Sequence, residues 1–336
     1  MMNANRSIAA PWNIYGDQRD SLAELESGWI QLYAENAQEA YDTILEAYKV
    51  AEDPDVMLPV MVNLDGFVLT HTYELLHTVD QDKVDAYIPY QQFANRMDLD
   101  NPKATCITAG PLYNMEFRYQ QHQAMLNAVE KIKAADKAFG ETFGRSYGGV
   151  VEAYKCDDAE AILITLGSVA GTTRCVVDEM REQGKKVGLL KIRCMRPFPA
   201  KEIVEIVKNA KFVGVLEKDV SFGFEGVVYT DVSSALKSAG VEIGKSGLQT
   251  ATKKRGAGLR TVSFSPRPSA SCVPPRMQKG TSLPTLALIC SSRSSVRVGE
   301  TSSRSARSTA AASALPPAMP ASDGMRFISA MSMPPP

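Results

Sequence analysis

Three short apolar runs, Ala161–Leu166, Lys186–Arg193 and Lys211–Glu217, begin about 25 residues apart. Each is followed by a segment with helical apolar spacing: Gly171–Gln183, ended by Gly184; Ala200–Asn209; and Phe224–Ser238, ended near Gly240. A strand, a crossover helix and two short turns fill a period of that length. Such a repeat lays its strands side by side in parallel, with helices on the faces. It excludes an all-β sandwich and a helical bundle, and it predicts an α/β fold with an open parallel sheet.

A second unit of this kind lies near the start. Residues 28–34 (GWIQLYA) read as a strand. Asn36 follows as an N-cap, with Glu39 as its capping-box partner. Ala37, Ala40, Tyr41, Ile44, Ala47, Tyr48 and Ala51 then recur at helical spacing, which predicts one buried stripe, and Glu52-Asp53-Pro54 stops the helix. The run 58–64 (LPVMVNL) is apolar enough for a strand covered on both faces. From Val79 to Cys156 the pattern loosens into a connector, with a helix from Tyr113 to Phe139 broken by Gly140 and Gly144. The expected organisation is an α/β domain over 1–85, a partly helical connector over 86–156, an open-sheet domain over 157–245 and a tail over 246–336.

The formal net charge of −1 hides a division. Residues 1–245 carry 25 Lys/Arg against 36 Asp/Glu, whereas 246–336 carry 12 against 2. The second segment also holds 18 Ser and 11 of the 19 Pro, and no Tyr or Trp. With so little apolar surface to offset chain entropy, disorder is the expectation there. Its basic charge lacks interleaved aromatics, which argues against a nucleic-acid arm. No apolar h-region of a signal peptide opens the sequence and no run approaches 18 apolar residues, so a cytoplasmic protein without membrane contact is expected. Cys106, Cys156, Cys175, Cys194, Cys272 and Cys290 have neither zinc nor iron–sulfur spacing and read as reduced thiols.

Several loops carry chemistry-bearing side chains. Gly167–Thr172 joins a strand to a helix, where phosphates bind, but it is neither G-x-G-x-x-G nor a P-loop. A plain turn capped by Ser168 or Thr172 is favoured. Asp65-Gly66-Phe67 ends a strand, followed by Thr70-His71 and Glu74. This is either a tight turn or a histidine with two carboxylates for acid–base work. Arg6 precedes a Pro-containing segment and suits a carboxylate ligand, with a surface arginine as the plainer reading. Asp17, Arg19 and Asp20 read as a solvated mixed-charge loop. Lys191, Arg193 and Arg196 end a strand and fit a subunit or anion contact, or simple loop punctuation.

The stretches NRSIAAPWNIYGDQRD (5–20), SGWIQLYAENAQEAYD (27–42), LPVMVNLDGFVLTHTYE (58–74), 161–203 and VLEKDVSFGFEGVVYTDVSSAL (215–236) are collinear. Together they resemble the α subunit of pyruvate:ferredoxin oxidoreductase and its 2-oxoacid relatives. The resemblance implies a thiamine-diphosphate-binding domain of the pyrimidine-facing type, truncated at its front, then a transketolase C-terminal-like open-sheet domain. It implies oxidative decarboxylation of pyruvate to acetyl-CoA, with electrons passed to ferredoxin. Thiamine diphosphate would be shared with a partner subunit, and Mg²⁺ and the iron–sulfur clusters would sit on partner subunits of β, γ and δ type. Arg6 matches the family's arginine near the substrate carboxylate. The family's threonine-bearing loop and its pyrimidine-activating glutamate lie upstream of the residues present, so the chain alone is expected to be inactive. A catalytically inactive assembly fragment is the alternative. Gln18-Arg19 departs from the family's His-Gln or Gln-Gln pair. The resemblance is expected to end just past Ala239, with out-of-frame translation from about residue 241 as one account of the tail.

Overall fold

The computed structural model describes residues 1–250 except Ala9, Pro11, Trp12, Tyr15, Ala94, Asn95, 103–107 and 242–247, and describes 248–250 through their backbone. The elements are β1 (Met2–Asn5), α1 (Arg19–Leu22), β2 (Ile30–Tyr33), α2 (Ala37–Ala51), β3 (Val60–Asp65), α3 (Gln81–Tyr87), α4 (Pro111–Phe143), β4 (Val151–Tyr154), β5 (Ala161–Thr165), α5 (Val169–Glu182), β6 (Val187–Ile192), β7 (Cys194–Arg196), α6 (Ala200–Val207), β8 (Phe212–Val215), α7 (Val227–Ser238) and β9 (Leu248–Thr250).

They form two sheets, ordered β1-β3-β2-β7 and β4-β6-β5-β8-β9. The fold is α/β, and every sheet pairing is parallel except β2 with β7 and β4 with β6. The three apolar runs of the 25-residue repeat are β5, β6 and β8. They lie adjacent in the second sheet in the order β6-β5-β8: α5 returns the chain to one edge of β5 as β6, and α6 carries it to the other edge of β5 as β8. The β2-α2-β3 unit is also present, with Ile30 opposite Val60 and Tyr33 opposite Asn63.

Four expectations are corrected. The helix α4 runs through Gly140 and ends only at Gly144, whose φ of +76° takes the left-handed conformation that closes a helix. The strand β4, inside the stretch read as connector, pairs antiparallel with β6 from Val151 opposite Ile192 to Tyr154 opposite Leu189. The chain leaving β6 crosses to the first sheet as β7, with Cys194 opposite Leu32. Leu248–Thr250, placed in the tail, runs parallel to β8 as β9. Backbone pairing on an open sheet edge needs no apolar stripe, so composition gave no sign of it. The rest of the tail reading falls on 251–336, outside the described residues.

The largest departure concerns α2. Asn36 caps it as expected, its side chain accepting from the Glu39 N–H at 2.8 Å. Glu39, however, accepts from the Glu35 N–H rather than closing the box on Asn36. The buried residues of α2 are Glu39, Ala40, Asp42, Thr43, Glu46, Ala47 and Val50, while Tyr48 is exposed. Half of that inner face is polar because it meets two buried cations from the end of β6. Lys191 Nζ lies 2.7 Å from Glu39, 3.0 Å from Glu35 and 3.3 Å from Glu152. The fully buried Arg193 donates to Glu39, to Glu46 at 2.8 Å, to Thr43 at 2.9 Å, to Asp136 on α4 and to the Gly149 carbonyl. Lys191, Arg193 and Arg196 are therefore neither an anion site nor loop punctuation. The first two join α2 and α4 of one sheet to β4 and β6 of the other, and Arg196 pairs with Asp231 at 2.7 Å.

Carboxylates outnumber cations around Arg193, and burial pushes the Glu46 carboxyl up to about 7, with Arg193 opposing the rise and Asp136 and Glu39 adding to it. A raised carboxyl pKa contributes stability below the unfolded value of about 4.5, and that contribution is lost as the pH climbs through 7. Urea unfolding of wild type and Glu46→Gln across this range should show the difference shifting in the variant's favour by about 3 kcal/mol from pH 4.5 to pH 8. A pH-independent difference would contradict this account of Glu46.

Candidate substrate site

Parallel pairing of β1 with β3 sets Asn5 opposite Asp65, so the next residues, Arg6 and Gly66, emerge together at the carboxyl ends of their strands. That is where open parallel sheets place ligands. The Arg6 guanidinium lies across Gly66: a Cβ on Gly66 would stand 1.3 Å from Arg6 Nη1 and 2.2 Å from the Asn5 carbonyl oxygen. Among the described residues the guanidinium donates to the Asn5 carbonyl at 3.3 Å and forms no ion pair. Its remaining donors suit a planar carboxylate.

The surrounding charges hold this loop. Asp20 accepts from the Arg6 N–H at 2.9 Å and from Nδ2 of Asn5 at 2.8 Å and of Asn3 at 3.3 Å. Asp17 takes a bidentate hold on Arg19, whose guanidinium sits 5.0 Å from the centroid of the exposed Phe222 ring. The loop read as merely solvated thus anchors the arginine's backbone.

Asp65 is fully buried beneath Gly66. Its Oδ2 accepts from the Ser168 N–H at 2.7 Å, from Ser168 Oγ at 2.5 Å and from Lys218 Nζ at 3.1 Å, and its Oδ1 accepts from Gln18 Nε2 at 3.2 Å. The N-terminus of α5, read as a candidate phosphate site, therefore already receives an anion from within the chain. Ser168 spends its hydroxyl on Asp65 instead of capping, and Thr172 is exposed. One strand-end carboxylate thereby locks the first sheet to the second at the level of Arg6.

The acid–base reading of Asp65, His71 and Glu74 is not assembled. Phe67 adopts φ +64° in a tight turn, its N–H donating to Thr70 Oγ1. The exposed His71 meets Thr70 Oγ1 at 2.9 Å and tilts against the Phe67 ring. Glu74 instead accepts from the Ala37 N–H at the start of α2. Of the cysteines, burial pushes the Cys156 thiol up to about 11 and the Cys194 thiol up to about 12; Cys156, Cys175 and Cys194 are unbridged, and Cys106, Cys272 and Cys290 lie outside the described residues.

Lys218, Glu217 and Asp219 were not singled out from the sequence. Their one signal is position, directly after β8 and beside β5 at the same sheet end. Glu217 accepts from the Val228 N–H at 2.9 Å and fixes the start of α7. Asp219 is buried, and burial raises its carboxyl above the usual range. For a thiamine diphosphate cofactor the donor set is one-sided. Arg6 offers a carboxylate clamp, but Asp65 is fully engaged, and no three His, Cys, Asp or Glu side chains converge on a metal position among the described residues. These residues do not by themselves form a magnesium–diphosphate site.

Residues 1–137 match the thiamine diphosphate-binding model of pyruvate flavodoxin/ferredoxin oxidoreductase, and residues 159–252 match pyruvate:ferredoxin oxidoreductase core domain II. The pyruvate synthase subunit PorA of Methanothermobacter thermautotrophicus is 48% identical over 237 residues, covering 70% of this chain and 62% of that one. This chain belongs to the pyruvate:ferredoxin oxidoreductase family. Within that family, PorA of Methanosarcina barkeri is 43% identical over 244 residues, covering 72% of this chain and 61% of its own. The ketoisovalerate oxidoreductase subunit VorA of Pyrococcus horikoshii is 42% identical over 242 residues, covering 72% and 61%. The chain thus spans about 62% of the length of the first of these relatives. The second family model reaches residue 252, so the family pattern extends through β9, beyond the expected end near Ala239.

Because the Asn5 carbonyl and the Arg6 guanidinium both occupy the space a Cβ would need, Gly66→Ala should cost about 1–3 kcal/mol in denaturant unfolding. An unchanged midpoint would mean that Arg6 does not lie across Gly66.

Proposed function

We propose that this chain acts as part of the α subunit of a cytoplasmic 2-oxoacid:ferredoxin oxidoreductase, in which Arg6 binds the substrate carboxylate. The observation that carries this reading is the Arg6 guanidinium laid across Gly66 at the strand ends with donors to spare. The reaction is oxidative decarboxylation of pyruvate to acetyl-CoA, with electrons leaving to ferredoxin. Thiamine diphosphate, when bound, supplies the carbon nucleophile for the 2-oxo group. Its diphosphate, the Mg²⁺ and the iron–sulfur clusters would be held by β-, γ- and δ-type partners.

In this role the chain's own groups bind and orient. Arg6 pairs with the carboxylate through two parallel N–H donors and so orients the 2-oxoacid. Asp20 holds the Arg6 backbone, and Asp65 keeps the strand end rigid through Gln18, Ser168 and Lys218. The tyrosines nearest the joint are poor acids: burial raises both Tyr33 and Tyr147 well above the ordinary phenol range.

The test is assembly with the partner subunits and assay of CoA-dependent, pyruvate-dependent reduction of an electron acceptor. Arg6→Met should raise the KM for pyruvate roughly 10- to 100-fold while leaving the KM for CoA unchanged. Arg6→Lys should recover only part of the loss, since one ammonium cannot offer the paired donors. Equal changes in both KM values would contradict the assignment. The fragment reading makes a different prediction: incorporation into the complex at full stoichiometry with no turnover.

A further inference from the structure

The buried face of β8 continues past the point where its pairing stops. Val213 and Val215 lie in the core, and the same two-residue alternation then buries Glu217 and Asp219, 8% and 5% exposed. Leu216, Lys218 and Val220 take the more open side. The pattern that sends two valines inward thus sends in two carboxyls, and they arrive together at the start of α7. Glu217 accepts from the Val228 N–H at 2.9 Å, and its carboxyl fills the space that a Cβ on Gly226 would need. The Asp219 carboxyl lies against that of Glu217 and beside Val227. Among the described residues nothing donates to either Asp219 oxygen. Lys218, between the two acids, reaches the other way, to Asp65 at 3.1 Å and Ser168 Oγ at 3.2 Å. Its carbonyl accepts from the Gln18 N–H at 3.3 Å.

We propose that Glu217 and Asp219 share one proton, carried by Asp219, and that this proton latches the β8–α7 segment so that Lys218 stays on Asp65 beneath Arg6. Two carboxyls in contact and out of water cannot both ionise. The positive end of α7 stabilises one negative charge, and Glu217, which holds the Val228 N–H, keeps it. A neutral Asp219 donates to Glu217 and leaves a carbonyl oxygen unpaired, which costs far less than an unpaired buried carboxylate. The neighbouring charges supply no counter-ion. Burial is the largest influence raising the Asp219 carboxyl, and Asp17 adds to it. Arg19 on α1 opposes the rise, but its guanidinium is held by Asp17 and turned onto Phe222. On β2 the buried Tyr33 is a neutral phenol, kept so in part by Asp219 itself. Glu225, just before α7, is a further acid, and Lys218 is committed to Asp65. Loss of the proton sets two like charges two residues apart on one face of a strand end. Relief requires the segment to move, and Lys218 then leaves Asp65 and Gln18.

Difference infrared spectra of the full 336-residue chain at about pH 7, wild type against Asp219→Asn, should contain the C=O stretch of one protonated carboxyl. Glu217→Gln should lose that band as well, because its amide donates to Asp219 and lets it ionise. A carboxyl pKa raised by folding contributes stability at low pH that is lost as the pH climbs. The urea midpoint of Asp219→Asn should therefore shift upward relative to wild type between about pH 5 and about pH 9. The Gln18 amide reads the latch, since it donates to the Lys218 carbonyl. Its hydrogen exchange should be faster in wild type than in Asp219→Asn at about pH 9 and equal in the two at about pH 5, because the Asn amide replaces the proton. None of these readouts needs substrate or a partner subunit, so their failure is distinct from failure of the Arg6 assignment. A missing band, a pH-independent urea difference, or Gln18 exchange that is the same in both chains at every pH would each overturn the proposal.

Discussion

Everything near Arg6 depends on two cations that the fold takes out of water. Lys191 and Arg193 end one strand of the second sheet, and their carboxylate partners sit on α2 and just before it, on α4 and on β4. Removing one partner of such a set leaves the others charged and desolvated, which typically costs 3–5 kcal/mol. Apolar side chains could cover the same area with less electrostatic risk. What the ionic joint adds is register: five guanidinium contacts fix the angle at which the sheets meet, whereas an apolar contact tolerates sliding.

That angle matters because the site is built from both sheets. Arg6 and Gly66 come from the first, Ser168 and Lys218 from the second, and Asp65 binds across the boundary. The two halves are joined twice, by the cation cluster on one side and by the strand-end carboxylate on the other. Between them the chain itself crosses, from β6 through Arg193 into β7. A small rotation of one sheet would pull Ser168 and Lys218 from Asp65 and release the turn under Arg6.

The layered part of this fold was legible because it follows from apolar runs and their spacing. The β5, β6 and β8 strands, the β2-α2-β3 unit and the Asn36 cap all emerge from local pattern. The joint was hidden for the same reason. Glu39 read as a capping-box partner, and Asp42 and Glu46 lay outside the apolar stripe, on positions that are normally solvated. Only the long-range arrival of Lys191 and Arg193 turns that side inward. Arg6 was found through its motif and Gly66 through its turn, but their juxtaposition needs the β1–β3 register. Gln18 was noted only as a departure from the family pair and Asp20 only as part of a solvated loop, and Lys218 was not singled out, because their contacts with Asp65 and Arg6 are long-range. The strands β4, β7 and β9 are short and lie on sheet edges or between sheets, where backbone pairing decides and side-chain alternation says little.

Native-state hydrogen exchange tests most directly whether the buried cations make the two sheets one cooperative unit. Amides of α2, and of β5 and β6, should open with the same free energy and the same denaturant dependence, as members of a single unfolding unit. If α2 instead opens at markedly lower free energy while β5 and β6 stay protected, the sheets are independent, and the cluster around Arg193 is not what holds the site in place.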